Sequence, residues 1–214
     1  MSESGAAQMV VVRHGETVWN AAGRQQGQLG GELSPMGVRQ AEAIGEALAG
    51  QTFHALYTSD LGRAAQTAEI IGARLGLEPI PEPGLRERHL GILQGLTIAE
   101  FAQRLPTEHA RLRSDDPDYA IPGGESVRER HERHVRCTET LAERHAGQRL
   151  LLVAHGGVLN SLFRHALGLP LASPRTFSLL NASLNRFSVS AGRWRLETWG
   201  ETGHLAHLRA MDDW

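Results

Sequence analysis

Two short apolar runs, each broken off by a histidine, constrain this chain more than any other feature of it. Met9-Val10-Val11-Val12 runs straight into Arg13-His14-Gly15-Glu16-Thr17, and Leu150-Leu151-Leu152-Val153-Ala154 into His155-Gly156-Gly157. Continuous apolar runs of this length, one of them rich in valine, read as strands buried on both faces, the kind found in parallel sheets with helices on each side. Ligands of an open α/β sheet bind beyond the carboxyl ends of its strands. If the two strands are neighbours, both histidines meet at one edge. Arg13 offers planar donors for two phosphate oxygens, and a neutral ring nitrogen of His14 can attack phosphorus. Gly15 would let the backbone approach the anion. Taken alone, Arg-His-Gly leaves a plainer alternative open, a strand that ends in a charged residue and a turn with His14 merely hydrogen-bonded.

The stretches between and around these runs supply the other layers. Glycines crowd residues 22–31, which read as a loop. Ser34-Pro35 is an N-cap with proline in the first helical position, and Val38, Ala41, Ile44 and Leu48 mark one face of the helix it starts. Ala55 to Thr58 predicts a second strand, after which Ser59 is expected to cap a helix closed by Gly76, with Arg63 in its first turn. Pro79 to Gly95 reads as irregular, Ile98 to Leu105 as a short helix, and residues 106–124, with no periodicity, as a surface loop. Glu125 to His145 predicts a charged helix with a thin apolar face. The helix after His155 would point backbone N–H groups toward whatever lies beside that histidine. Ser183 to Ser190 and Arg193 to Trp199, joined by Ala191-Gly192, predict a hairpin. The sum is an α/β chain with a mostly parallel sheet, an antiparallel edge and helices on both faces. One domain over residues 1–214 is expected, with 1–8 and about 200–214 flexible or peripheral.

Composition narrows the function classes. A formal net charge of -2, with no basic stripe, gives no electrostatic reason to expect nucleic acid or an anionic membrane. Residues 1–8 lack the features of a secretory signal, and no apolar run approaches the roughly 20 residues of a membrane span. The expected location is the cytoplasm. A single cysteine, Cys137, excludes an intrachain disulfide and a Cys-rich zinc framework. All 22 basic residues are arginine, which excludes a Schiff-base lysine and a Walker lysine.

Taken in order, Arg13-His14-Gly15-Glu16-Thr17 with Trp19-Asn20, Gly23-Arg24, Gln26-Gly27, Thr58-Ser59 with Arg63, Leu85-Arg86-Glu87-Arg88 with Gly91, Gln94-Gly95, Pro122-Gly123-Gly124-Glu125-Ser126 and Ala154-His155-Gly156-Gly157 follow a known pattern. The sequence resembles the histidine phosphatase superfamily, the phosphoglycerate mutase-like family, over roughly residues 9–199. That resemblance implies a three-layer αβα fold. It implies that His14 is the nucleophile that becomes phosphohistidine, that Arg13, Arg63 and His155 hold the phosphoryl oxygens, and that Asn20 binds the same group as a neutral donor. Glu87 matches the general acid. Gln26, Gly27 and Gly156 fall at phosphate- or substrate-binding positions. Two arginines and a protonated His155 would supply the charge that a metal supplies elsewhere, so neither a metal nor another cofactor is expected.

Rival sites are thinner. His131 with His134, and His204 with His207, have metal-ligand spacing but no third ligand, and Asp116-Pro117-Asp118 follows no strand. Three functions stay open: a cofactor-independent phosphatase of small phosphomonoesters, a mutase that needs 2,3-bisphosphoglycerate, and a non-catalytic phospho-ligand binder. The expected partner is a small phosphorylated metabolite, and a homodimer is left open. Departures from the mutase pattern favour the phosphatase. Gln94-Gly95 and Glu125-Ser126 are separated by only about thirty residues, Leu90 and Ile98 stand where the mutase has tyrosine and lysine, and Gly157 where it has asparagine.

Overall fold

The computed structural model describes residues 5–208. Its centre is a single six-stranded sheet: β1 (Ala7–Arg13), β2 (Ala55–Thr58), β3 (Pro79–Pro81), β4 (Arg149–Ala154), β5 (Leu184–Ser190) and β6 (Arg193–Glu201), in the order β3-β2-β4-β1-β5-β6. The first four are mutually parallel; β5 runs antiparallel to β1, and β6 to β5. The expected antiparallel edge is therefore a two-stranded one.

Alternation along β1 builds both layers. Met9 and Val11 face a core that includes Leu150, Leu152, Val158, Leu159, Leu162 and Leu141. Val10 and Val12 face the opposite one, with Ile44, Leu48, Leu56, Ala64, Ala68, Ile71 and Val153. Each fully buried valine or leucine contributes about 1.5–3 kcal/mol, so the register of β1 is strongly specified. Helices α2 (Pro35–Leu48) and α3 (Gly62–Leu75) cover the second face, and α6 (Val127–Arg144) and α7 (Gly156–Leu167) the first. No described helix is long and apolar enough to cross a membrane.

Local chemistry explains the ends. Ser34 caps α2 through the amide of Gly37, and Ser126 with Glu129 closes a capping box on α6. Gly76 ends α3 in the left-handed conformation. Ser59 does not cap α3: Leu61 is the cap residue and makes no side-chain cap bond, and the Ser59 hydroxyl serves His155 instead. Residues 106–124 are not wholly loop, since Pro106 starts α5 (Pro106–Leu112) directly after α4 (Ile98–Arg104). Leu93, Phe101, Tyr119 and Ile121 form a small separate core under these two helices. Nor is the carboxyl end merely peripheral. Residues 203–208 form a 3-10 turn that drives Leu205, 1% exposed, into the core against α2. Residues 1–4 and 209–214, the outer parts of the segments expected to be flexible, lie outside the described residues.

Candidate active site

The three strands β2, β4 and β1 lie side by side and end in Ser59, His155 and His14, so the two histidines do meet, with ring centroids 5.2 Å apart. His14 lines a cavity of about 290 Å³ together with Arg13, Arg63, Asn20, Gln26, Gly27, Glu87 and Gly156, and His155, fully buried, lies behind it against the His14 ring. The expected catalytic and phosphate-binding residues lie on this cavity or, for His155, directly behind it. The volume sits near the lower end of small-molecule sites, roughly 300–1,000 Å³.

His14 is 3% exposed. Its Nδ1 lies 2.7 Å from the carbonyl oxygen of Gly15, which places the ring proton on Nδ1, and its Nε2 accepts the Nε–H of Arg63 at 3.1 Å. Burial first, then Arg63 and Arg13, hold the imidazolium pKa well below 6.5. The ring is therefore neutral near pH 7, with a lone pair on Nε2. Gly15 is required by its packing against α2: a Cβ there would meet the Gly37 carbonyl oxygen at 2.4 Å. Asn181 donates to the carbonyl of His14 at 2.9 Å and fixes the backbone from behind.

Arg63 enters from the first turn of α3 and is 1% exposed. Its remaining nitrogens donate to the carbonyls of Gly27 (2.7 Å) and Leu29 (3.1 Å). Gly27 thus contributes a carbonyl that orients the guanidinium. Burial brings Arg63 down to about 10, with Glu87 opposing, so it stays charged at neutral pH. Arg13 donates to the carbonyl of Leu179. Asn20 uses Oδ1 to accept from the amide and hydroxyl of Thr17, which commits that atom and leaves the amide nitrogen as the donor. Gln26 is 7% exposed with its Oε1 unpartnered.

His155 corrects an expectation. Complete burial, then Arg63 and His14, push its pKa well below 6.5, so the ring is neutral near pH 7 and the positive charge comes from Arg13 and Arg63. Its Nε2 lies 2.8 Å from the Ser59 hydroxyl, and its Nδ1 is buried without a partner. Ser59 itself accepts from the Leu61 amide, so its proton is available for Nε2 and Nδ1 carries the ring hydrogen.

Glu87 is not paired with its neighbours. Arg86 forms an ion pair with Asp60, and Arg88 donates to the carbonyls of Glu125 and Tyr119. The Glu87 carboxylate instead accepts the amides of Arg88 (2.7 Å) and Gly157 (2.8 Å). The first turn of α7 thus spends an amide on Glu87. Arg133 of α6 holds the loop that carries it, donating to the carbonyls of Gly84, Arg86 and Glu87, and His134 lies 2.8 Å from the carbonyl of Arg86. With its other nitrogen on Ser161, His134 is structurally engaged rather than a metal ligand. Among the described residues no three His, Cys, Asp or Glu side chains are grouped to hold a metal.

A model of the histidine phosphatase superfamily (branch 1) matches residues 9–202. The chain belongs to that superfamily. This histidine phosphatase is 41% identical over 209 residues to the metal-independent phosphoserine phosphatase of Arabidopsis thaliana, covering 96% of the chain and 86% of that relative. It is 39% identical over 203 residues to phosphoglycerate mutase-like protein 4 of the same plant, covering 93% and 87%. Among solved structures, a mycobacterial glucosyl-3-phosphoglycerate phosphatase in complex with VO3 superposes with a TM-score of 0.78 at 35% identity, over 91% of this chain and 99% of that one. Phosphatase function fits a histidine phosphatase with such relatives.

Arg130, Arg133, His134 and Asn181 also belong to or support this site; sequence reasoning missed Arg130, Arg133 and Asn181 and weighed His134 only as a metal ligand. The first three lie on a helix so charged that no periodicity marks them, and Asn181 sits in an irregular turn.

Proposed function

We propose that this protein is a cofactor-independent phosphatase of small phosphomonoesters, acting as one cytoplasmic domain through a phosphohistidine intermediate. The observation that carries this reading is the state of His14: neutral, its proton committed to the Gly15 carbonyl, and its Nε2 lone pair held by the Nε–H of Arg63 at the edge of the cavity that Arg13 and Arg63 also line. Phosphoryl transfer needs in-line positioning and neutralised equatorial oxygens more than covalent help. Arg13 and Arg63 supply charge, and the Asn20 amide and the Nδ1–H of His155 supply neutral donors. His14 Nε2 forms a bond to phosphorus as the ester P–O bond breaks, and Glu87 gives a proton to the departing alkoxide. The positive charge that develops on the ring is stabilised by the Gly15 carbonyl. Water then attacks phosphorus, Glu87 takes its proton, and His14 returns to the neutral state.

The second reading is a mutase primed by 2,3-bisphosphoglycerate, favoured by the phosphoglycerate mutase-like relative. Against it, Leu90 presents an apolar side chain to the cavity, and an asparagine in place of Gly157 would collide with Glu87. The deciding assay incubates the protein with 3-phosphoglycerate, with and without 2,3-bisphosphoglycerate, and follows inorganic phosphate and 2-phosphoglycerate together. Phosphate release that is indifferent to the primer is expected. Primer-dependent isomerisation that outpaces release would overturn the assignment.

A further inference from the structure

Several buried arginines of this protein have partners for the nitrogens they bury. Arg63 bonds to His14 and two carbonyls, Arg88 to two carbonyls, and Arg164 to Asn160, Pro170 and Ser173. Arg130 differs. It lies one turn into α6, is 7% exposed and lines the cavity, and its Nε and Nη2 are buried with no hydrogen-bond partner. A buried cation left unsatisfied is costly, and native proteins seldom keep one without a use.

The identity of the two idle nitrogens says what they fit. Nε and Nη2 form the side-on edge of the guanidinium, whose parallel N–H groups match the two oxygens of a carboxylate. This same chain uses that edge three times for that purpose. Arg133 grips Glu125 at 3.0 and 2.8 Å, Arg128 grips Asp118 at 2.5 and 3.1 Å, and Arg86 grips Asp60. In Arg130 that edge, although buried, has no hydrogen-bond partner. The carboxylate whose charge it feels is Glu87, which is held by two backbone amides and not by Arg130. Asn160, also on the cavity wall, has its Oδ1 taken by Arg164, so what it offers a ligand is an N–H donor. With Arg88 and Arg175 also on the lining, the cavity wall around Arg130 is furnished with N–H donors and cations, the complement of an anion.

We infer that Arg130 is a specificity-determining residue that receives a carboxylate carried by the alcohol part of the substrate, so that the preferred substrates are phosphomonoesters of small hydroxy acids. The inference rests on the phosphatase reading for its kinetic arm only. It also restores, from α6, a carboxylate contact that the sequence pattern had given reason to think was lost.

Phosphoserine and phosphoethanolamine differ by one carboxylate and make the test. Wild type is expected to prefer phosphoserine by tenfold or more in kcat/KM, and Arg130→Met to reduce that preference at least tenfold, mostly through KM, with Arg130→Lys between them. A second arm measures Kd of both compounds by calorimetry in His14→Ala and in His14→Ala with Arg130→Met, where no turnover interferes. Equal treatment of the two compounds by wild type, or a preference that survives Arg130→Met, overturns the inference. Should wild type release phosphate from neither compound while the Kd preference still vanishes with Arg130, the phosphatase reading fails and the carboxylate site stands. Should Arg130→Met not fold, the Arg130→Lys protein decides by the same ratio, an unchanged preference again counting against the proposal.

Discussion

Replacing Gly157 by alanine should separate the proton-transfer function of Glu87 from everything else in the site. A Cβ at position 157 would lie 1.9 Å from Glu87 Oε1 and 2.8 Å from its Cδ. The obstacle is the far end of a flexible side chain, so the helix can accept alanine and the carboxylate must move. What is lost is the 2.8 Å bond from the Gly157 amide, a charge-assisted contact of about 1.5–3 kcal/mol when fully buried. Glu87 is half-buried and can turn to water, and alanine is preferred to glycine within a helix by about 0.5–1 kcal/mol, so the two effects offset and Tm should change little. Chemistry should not be spared. Displacing a reacting group by about 1 Å costs on the order of 10²-fold, and a general acid contributes roughly 10²–10⁴-fold. Turnover of an alkyl phosphate should therefore fall by about 10²–10³-fold. An activated aryl ester such as p-nitrophenyl phosphate, whose leaving group departs without protonation, should lose less than about tenfold. Phosphate release from both substrates, with a thermal melt of each protein, makes the comparison. Equal losses on the two substrates, or no loss on either, would refute the placement of the acid.

His14→Ala should abolish turnover by several orders of magnitude with the fold intact, and acid-labile, base-stable phosphate label should appear on wild type alone. Exhaustive treatment with a chelator should leave activity unchanged, because the charge at the phosphoryl position is assigned to Arg13 and Arg63; restoration by Mg²⁺ of an activity the chelator had removed would contradict that. Stability should decline as pH falls below 6.5. His14, His134 and His155 have folded pKa values well below the unfolded one, so the unfolded chain takes up protons that the folded chain refuses, each histidine costing at most about 1.4 kcal/mol per pH unit until its folded pKa is reached. A Tm that stays flat between pH 7.5 and 5.5 would show that these rings are not buried neutral.

The parts of this molecule legible in its sequence are those where one residue type answers to one local demand. Apolar runs marked β1, β2 and β4, a capping serine followed by proline marked α2, and the histidines at strand ends marked the site edge. The strand β3 escaped because Pro79-Ile80-Pro81 carries two residues that weaken any ladder, tolerable only at the sheet edge where it lies. Helix α5 escaped because it buries none of its own residues completely, so no apolar face announces it. Within the site, residue identity was readable but protonation was not. His155 reads as a cation from its company, whereas its burial beside Arg63 makes it neutral, and burial is a property of the assembled fold. Arg130 carries the same lesson, since nothing local distinguishes it from Arg128 and Arg133 on the same helix.

The hydrogen bond from Arg63 Nε to His14 Nε2 has one more implication. The lone pair that would attack phosphorus is engaged by this N–H, and it is released only when something draws the Arg63 N–H aside. A phosphoryl oxygen does so by being a better acceptor than an imidazole; an uncharged electrophile cannot. The nucleophile is thus sheathed at rest, and general acylating reagents should label it slowly despite its being neutral and correctly tautomerised. The anion that unsheathes it is the one it is meant to react with.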